Sequence, residues 1–348
     1  MKNKIKFITI TLLCGFITIF VLYAISVKEI LFSKNGVERN FITKNIKLKD
    51  KYFINQNASE IIGIKKKEIY LVNENRTDVF IFNFDTGKSR SLNYNSFLKQ
   101  RGLLLLHQVN IDDNNLIILS PRKHKIYITN INDISEFKKY DSISIKYGID
   151  GLGYSKTAYF LKGRDSLFNA AYYSLKKSPN SKLIKKGAIM VENTREGIVI
   201  DDGFFSNSDD WSIYSKFHKN EFFIINEDGE IEGKKITIAK KKSSPRINKS
   251  EKGTVTLMGQ VNYKNLRGAI NKDNFYLQSG VKADNENPFR FKFNSVIDVY
   301  SLKEDEKYVY SFYIPSYAGV KTNSFKIRNN EIFALHGNYL LIYNIHNE

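Results

Sequence analysis

The densest group of oxygen ligands in the chain is Asp201-Asp202-Gly203 followed closely by Asp209-Asp210-Trp211. Carboxylates beside a glycine turn suit Ca2+, a hard cation that takes oxygen ligands, so Asp201, Asp202, Asp209 and Asp210 are the candidate metal residues. The EF-hand spacing is absent, and the two pairs read as one loop between strands, where Asp commonly shapes turns. Of the histidines, His107, His124, His218, His336 and His346, none stands three or four residues from another, so none forms a zinc-type pair. No Gly-x-Ser-x-Gly elbow, phosphate loop, dinucleotide fingerprint or zinc motif occurs, and no catalytic residue is assigned. Gly151-Leu152-Gly153 reads as a turn.

The other chemical feature is charge. Lys240, Lys241, Lys242 and Arg246 open a run that reaches Lys252 with no hydrophobic periodicity, and it reads as a solvated loop. With Trp211, the sole tryptophan, these are the candidate partner-binding residues. Residues 1–34 carry five Lys and one Glu; the remainder holds 49 basic and 35 acidic groups, a formal +14. Such a field attracts anionic partners, whether lipid headgroups, acidic glycans or an acidic envelope protein. Nucleic acid is not expected for an exported domain.

Export follows from the first residues. Lys2, Lys4 and Lys6 precede an apolar run from Phe7 to Val27 that contains no charge. At about 1.5 Å per residue, a helix over that run reaches about 31 Å, one hydrocarbon thickness. Lipid offers backbone groups no partners, so the segment must be helical. The lysines keep the N-terminus in the cytoplasm and send the rest of the chain outside. A cleavable signal ending at Ala24-Ile25-Ser26 is the competing reading, and the length of the apolar run favours an uncleaved anchor. The expected organisation is a cytoplasmic stub over 1–6, a transmembrane signal-anchor over 7–27, a linker over 28–37 and one ectodomain over 38–348, on the outer side of a bacterial cytoplasmic membrane. Cys14, the only cysteine, lies in the anchor, so the ectodomain has no disulfide and depends on burial and backbone pairing.

Those elements are strands. The chain has 25 Phe and 21 Tyr but five Pro, a composition suited to half-buried pleated surfaces. Short apolar runs beginning near Asp78, Lys125, Ser166, Glu221, Ser295 and Tyr339 recur mostly at blade-like spacing, with one longer gap that holds the Lys240–Gly253 insertion. Further strands flank each run. In the first repeat they are Glu60–Ile64, Glu68–Val72 and Lys88–Leu92; in the fourth, Ile198–Asp201 is the leading one. Turns at Asp85-Thr86-Gly87, Glu227-Asp228-Gly229, Asn329-Asn330 and His336-Gly337-Asn338 join them. A period of this length, with about four strands per repeat and no helical periodicity between, predicts a six-bladed β-propeller. The last repeat, Phe325–Arg328, Glu331–Leu335 and Tyr339–Ile345, is one strand short, and Arg39–Lys44 or Ile46–Phe53 is a surplus strand that would complete it.

Glu331–Leu335 with Tyr339–Ile345, and Lys307–Ile314 with the following Pro315-Ser316-Tyr317-Ala318-Gly319, resemble the blades of the six-bladed TolB-like and NHL-like propellers of bacteria, including membrane-attached members. The resemblance covers about residues 60–348. It implies a fold whose members include binding proteins, sensor ectodomains and lactonase-like hydrolases with calcium in the central channel. The reading favoured is a membrane-tethered binding module without a cofactor; the alternative is a calcium-dependent hydrolase or lyase.

Overall fold

A computed structural model describes residues 2–32, 34–42, 46–54, 57–103, 107–131, 141–144, 148–167, 169–177, 184–192, 201–239, 245–249, 255–258, 263–303 and 307–345. The first element is α1 (Lys2–Phe32). Its described side chains, Lys6 and Thr9 to Ile25, are all exposed, Phe16 by 74% and Phe20 by 71%. Thr18 returns its hydroxyl to the Cys14 carbonyl, which hides a polar group within the helix. Among the described residues, no helix is long and apolar enough to cross a membrane.

After β1 (Ile46–Phe53) the chain forms six four-stranded antiparallel sheets. Blade 1 is β2–β5 (Ala58–Lys65, Glu68–Asn73, Asp78–Asn83, Ser89–Asn93), followed by α2 (Asn95–Arg101). Blade 2 is β6–β9 (Gln108–Asp112, Asn115–Ser120, Lys125–Asn130, Asp141–Ser144), and blade 3 is β10–β13 (Ile149–Tyr154, Ala158–Arg164, Ala170–Lys176, Ile184–Glu192). Blade 4 is β14–β17 (Gly203–Asn207, Trp211–Lys216, Glu221–Asn226, Ile231–Ile236). A separate hairpin, β18 (Arg246–Lys249) with β19 (Val255–Met258), precedes blade 5. That blade is β20–β23 (Asn265–Asn271, Asn274–Ser279, Ser295–Ser301, Tyr308–Ile314), with α3 (Pro288–Phe293) between its second and third strands. β24–β26 (Ser324–Arg328, Glu331–His336, Tyr339–Ile345) belong to blade 6, and β1 completes it.

The first strands β2, β6, β10, β14, β20 and β24 touch one another in a closed cycle, so they line a central channel and the chain is a six-bladed β-propeller. The turns expected at Gly87, Gly229, Asn329 and Gly337 all take positive φ. Apolar clusters fill the wedges between blades, such as Ile297, Val299 and Phe325 between blades 5 and 6. The wedge between blades 3 and 4 holds two smaller clusters, Ala158 and Phe160 with Ile225, and Tyr172 with Tyr214 and Phe223.

Three expectations need correction. Gly151-Leu152-Gly153 lies within β10, where Phe205 presses so close to Gly153 that a Cβ would sit 2.4 Å from its ring. The leading strand of blade 4 is Gly203–Asn207; Ile198 to Ile200 lie outside the described residues. Arg246 stands on the β18–β19 hairpin instead of in an unstructured loop.

Closure uses the surplus segment as expected, with Ile46–Phe53 pairing antiparallel to Tyr339–Ile345 as the outer strand of blade 6. Residues 39–42 do something else. Phe41 bridges Ser311 on the edge of blade 5 and stacks on Tyr313 at 4.8 Å. Arg39, 3% exposed, reaches into that blade. Its Nε and Nη2 donate to the two oxygens of Asp298 at 2.7 and 3.0 Å; Nη2 also donates to Ser279 at 2.7 Å, and Nη1 donates to Glu286 at 2.9 Å. Ser311 and Tyr313 hydroxyls donate to the same carboxylates. Burial alone would lower the Arg39 pKa, but Asp298 and Glu286 hold it above its ordinary value. Removing one member of such a buried set strands the others, so Arg39→Met should cost about 3–5 kcal/mol of unfolding free energy in urea titrations.

Candidate functional site

Six inner strands must end somewhere, and on one face they end in hairpin turns that ring the channel mouth. There the turns enclose a cup of about 970 Å3 to which every blade contributes. Lys65 and Lys66 come from blade 1, Asp112 and Asp113 from blade 2, and Tyr154, Lys156 and Lys177 from blade 3. Asp209 and Asp210 come from blade 4, Ile270 from blade 5, and Lys326 and Arg328 from blade 6.

Part of this charge is internally neutralised. Lys65 bonds Asp113 at 2.6 Å and Asn114. Lys177 bonds Asp112 at 2.5 Å and lies 4.6 Å from the centre of the Tyr159 ring. Burial first, and then Asp112, pushes the Tyr159 hydroxyl pKa up, so it stays a neutral wall residue. Arg328 is held between Phe84 and Phe333, 5.5 Å from each ring centre, and donates to the Lys66 carbonyl. Its buried Nε has no hydrogen-bond partner among the described residues. That leaves a guanidinium fixed in place with donor capacity at the cup's rim.

Lys326 is the most informative side chain of the group. It stands mid-strand in β24 and is half-buried on the channel wall. Desolvation lowers its pKa; Arg267 lowers it further, and Glu60 partly offsets both. A desolvated cation of this kind costs stability and gains from an incoming anion. The penalty is full at neutral pH and fades as pH rises through the lowered folded value toward the ordinary 10.5. Lys326→Met should therefore raise stability in urea at pH 7, with the gain over wild type closing as the pH approaches that of free lysine.

The residues singled out by sequence scatter. β14 separates Asp201-Asp202 from Asp209-Asp210, about 17 Å for five residues, so the two pairs are not one loop and do not share one cation. Asp201 is fully buried and paired with Lys216 at 2.7 Å and with Lys219. Asp202, exposed, lies 3.5 Å from the Lys162 ammonium. Asp209 and Asp210 are exposed on the cup rim. Among the described residues no group of three or more His, Cys, Asp or Glu is gathered for a metal. Trp211 packs in the wedge between blades 4 and 5. Arg246 is exposed on its hairpin, and Lys240, Lys241 and Lys242 lie outside the described residues. His107 and His336 are buried against the carbonyls of Arg76 and Val320, and burial lowers both pKa values.

Apart from Asp209 and Asp210, the cup residues carry no motif in the sequence. Their signal is position: Lys66, Asp113, Lys156 and Asp209 each fall at the turn after the first strand of a blade.

No protein-family model matches the chain, and no curated protein matches it in sequence. Solved propellers resemble it in shape. A streptogramin B lyase structure aligns over 87% of this chain and 98% of its own at 8% identity, with a TM-score of 0.47. A DUF4221-family member from Bacteroides vulgatus aligns over 89% and 100% at 11% identity and 0.48. A structural genomics protein of unknown function from Bacteroides thetaiotaomicron aligns over 91% and 75% at 11% identity and 0.45.

Proposed function

We propose that the chain is a bacterial membrane-tethered binding protein whose propeller lies outside the cytoplasm and takes the anionic group of a ligand into its channel cup. The observation that carries this reading is the state of charge in the cup. Lys65 and Lys177 are paired with carboxylates, while Lys326 is desolvated and feels the charge of Arg267, and the buried Arg328 Nε has no hydrogen-bond partner among the described residues. An anion entering the cup would relieve the first and complete the second. The tether rests on the uncharged run from Phe7 to Val27 and on the exposure of its described apolar side chains in every direction.

Thermal melting of the full chain in detergent tests the reading, with pyrophosphate and citrate as anionic probes. A probe at a hundredfold its dissociation constant adds about 2.7 kcal/mol by mass action on the folded state. The upward shift should be lost in Lys326→Glu with Arg328→Glu and kept in Lys88→Glu, a charge change outside the cup. A shift unaffected by either substitution would mean general anion attraction and would defeat the reading. A rise produced by Ca2+ instead, abolished by Asp209→Asn with Asp210→Asn, would favour the calcium enzyme.

A further inference from the structure

The face opposite the cup carries an exposed feature that neither folding nor the cup explains. α3 (Pro288–Phe293, PFRFKF) has no buried residue, and Phe289 and Phe293 are 60% and 55% exposed. It is nonetheless held in place. Asn287 caps it by accepting from the backbone nitrogens of Phe289 and Arg290. Lys321 bonds the Phe291 carbonyl at 2.7 Å, and Arg290 lies 4.6 Å from the centre of the Tyr313 ring. Two phenylalanines are thus displayed beside Arg290 and Lys292 on a rigid turn, at an entropic cost with no return inside the molecule.

Its position supplies the reason. α1 ends at Phe32, and three residues later Asn35 and Gly36 donate to the Asp284 carboxylate at 2.7 and 3.0 Å. Three extended residues reach about 10 Å. Asp284 is four residues ahead of Pro288, in the loop that carries α3. If α1 spans a bilayer, this loop is pinned at its surface. Aromatic side chains with interleaved cations are what that interface retains: rings enter the acyl boundary while Lys and Arg keep their heads among anionic headgroups. Arg246, exposed on the hairpin inserted between Ala239 and Tyr263, adds positive charge on this side.

We propose that Phe289 and Phe293, flanked by Arg290 and Lys292, form a second contact with the anionic lipid surface that fixes the propeller with its cup facing away from the membrane. This rests on the tethered reading, and one experiment separates the two. The full chain carrying Trp211→Phe is given a single new tryptophan, Phe289→Trp or, on the cup face, Thr86→Trp. Each variant is reconstituted into vesicles of phosphatidylcholine and phosphatidylglycerol with brominated acyl chains, then floated and washed with carbonate. Phe289→Trp should lose about half of its emission and Thr86→Trp almost none, because only the former reaches the acyl boundary. Chains that float and resist the wash but show no quenching of Phe289→Trp, or equal quenching of both, would overturn the contact while leaving the tether intact. Chains that do not float would overturn the tether, and the contact with it.

Discussion

A propeller is stable only if its ring is shut, and here closure depends on a segment that comes about 290 residues before the strand it joins. The pairing of Ile46–Phe53 with Tyr339–Ile345 covers what would be an open sheet edge. An edge of that kind accepts many strands, so something must select this one. Arg39 does so. Its guanidinium finds two acceptors on Asp298, one on Glu286 and one on Ser279 in a single buried geometry. Burying three charged groups is costly, and their mutual attraction is repaid only at the right register. The interaction therefore contributes more to where the N-terminal segment sits than to net stability.

That placement has a consequence across the molecule. The chain passes from α1 to the loop of blade 5 on one face, while the hairpin turns that build the cup are on the other. Under the tethered reading proposed above, the same short stretch that closes the ring would also set which face a ligand can approach. The exposed phenylalanines of α3 and the desolvated Lys326 accordingly lie at opposite ends of the ring.

Much of the fold was legible because of the third strand in each blade. DVFIFN, KIYITN and EFFIIN are apolar on both faces, as strands packed between two blades must be, and they repeat at blade spacing. The first strands were harder to read. Gln108–Asp112, Ile149–Tyr154 and Gly203–Asn207 border the channel, so each mixes polar residues or glycines with few apolar ones, and glycine there resembles a turn until its neighbour is known. Gly153 has to be glycine because Phe205 from the next blade occupies the space of a side chain. The candidate site failed for a related reason. Adjacent Asp pairs look like a cluster in one dimension, whereas an intervening strand sends Asp201 into a buried ion pair and Asp209 to the cup rim. The cup is assembled from residues on all six blades, a pattern visible only once the repeats are laid in register.

Hydrogen exchange of the full chain in detergent tests the closing segment most directly. The amides of Ile46–Phe53 that face Tyr339–Ile345 should exchange as slowly as those of Glu331–His336, opening only when the whole ring unfolds. In Arg39→Met the same amides should become selectively fast while the other blades stay protected. Rapid exchange of Ile46–Phe53 in the wild-type chain, with the remaining strands protected, would contradict closure by this segment.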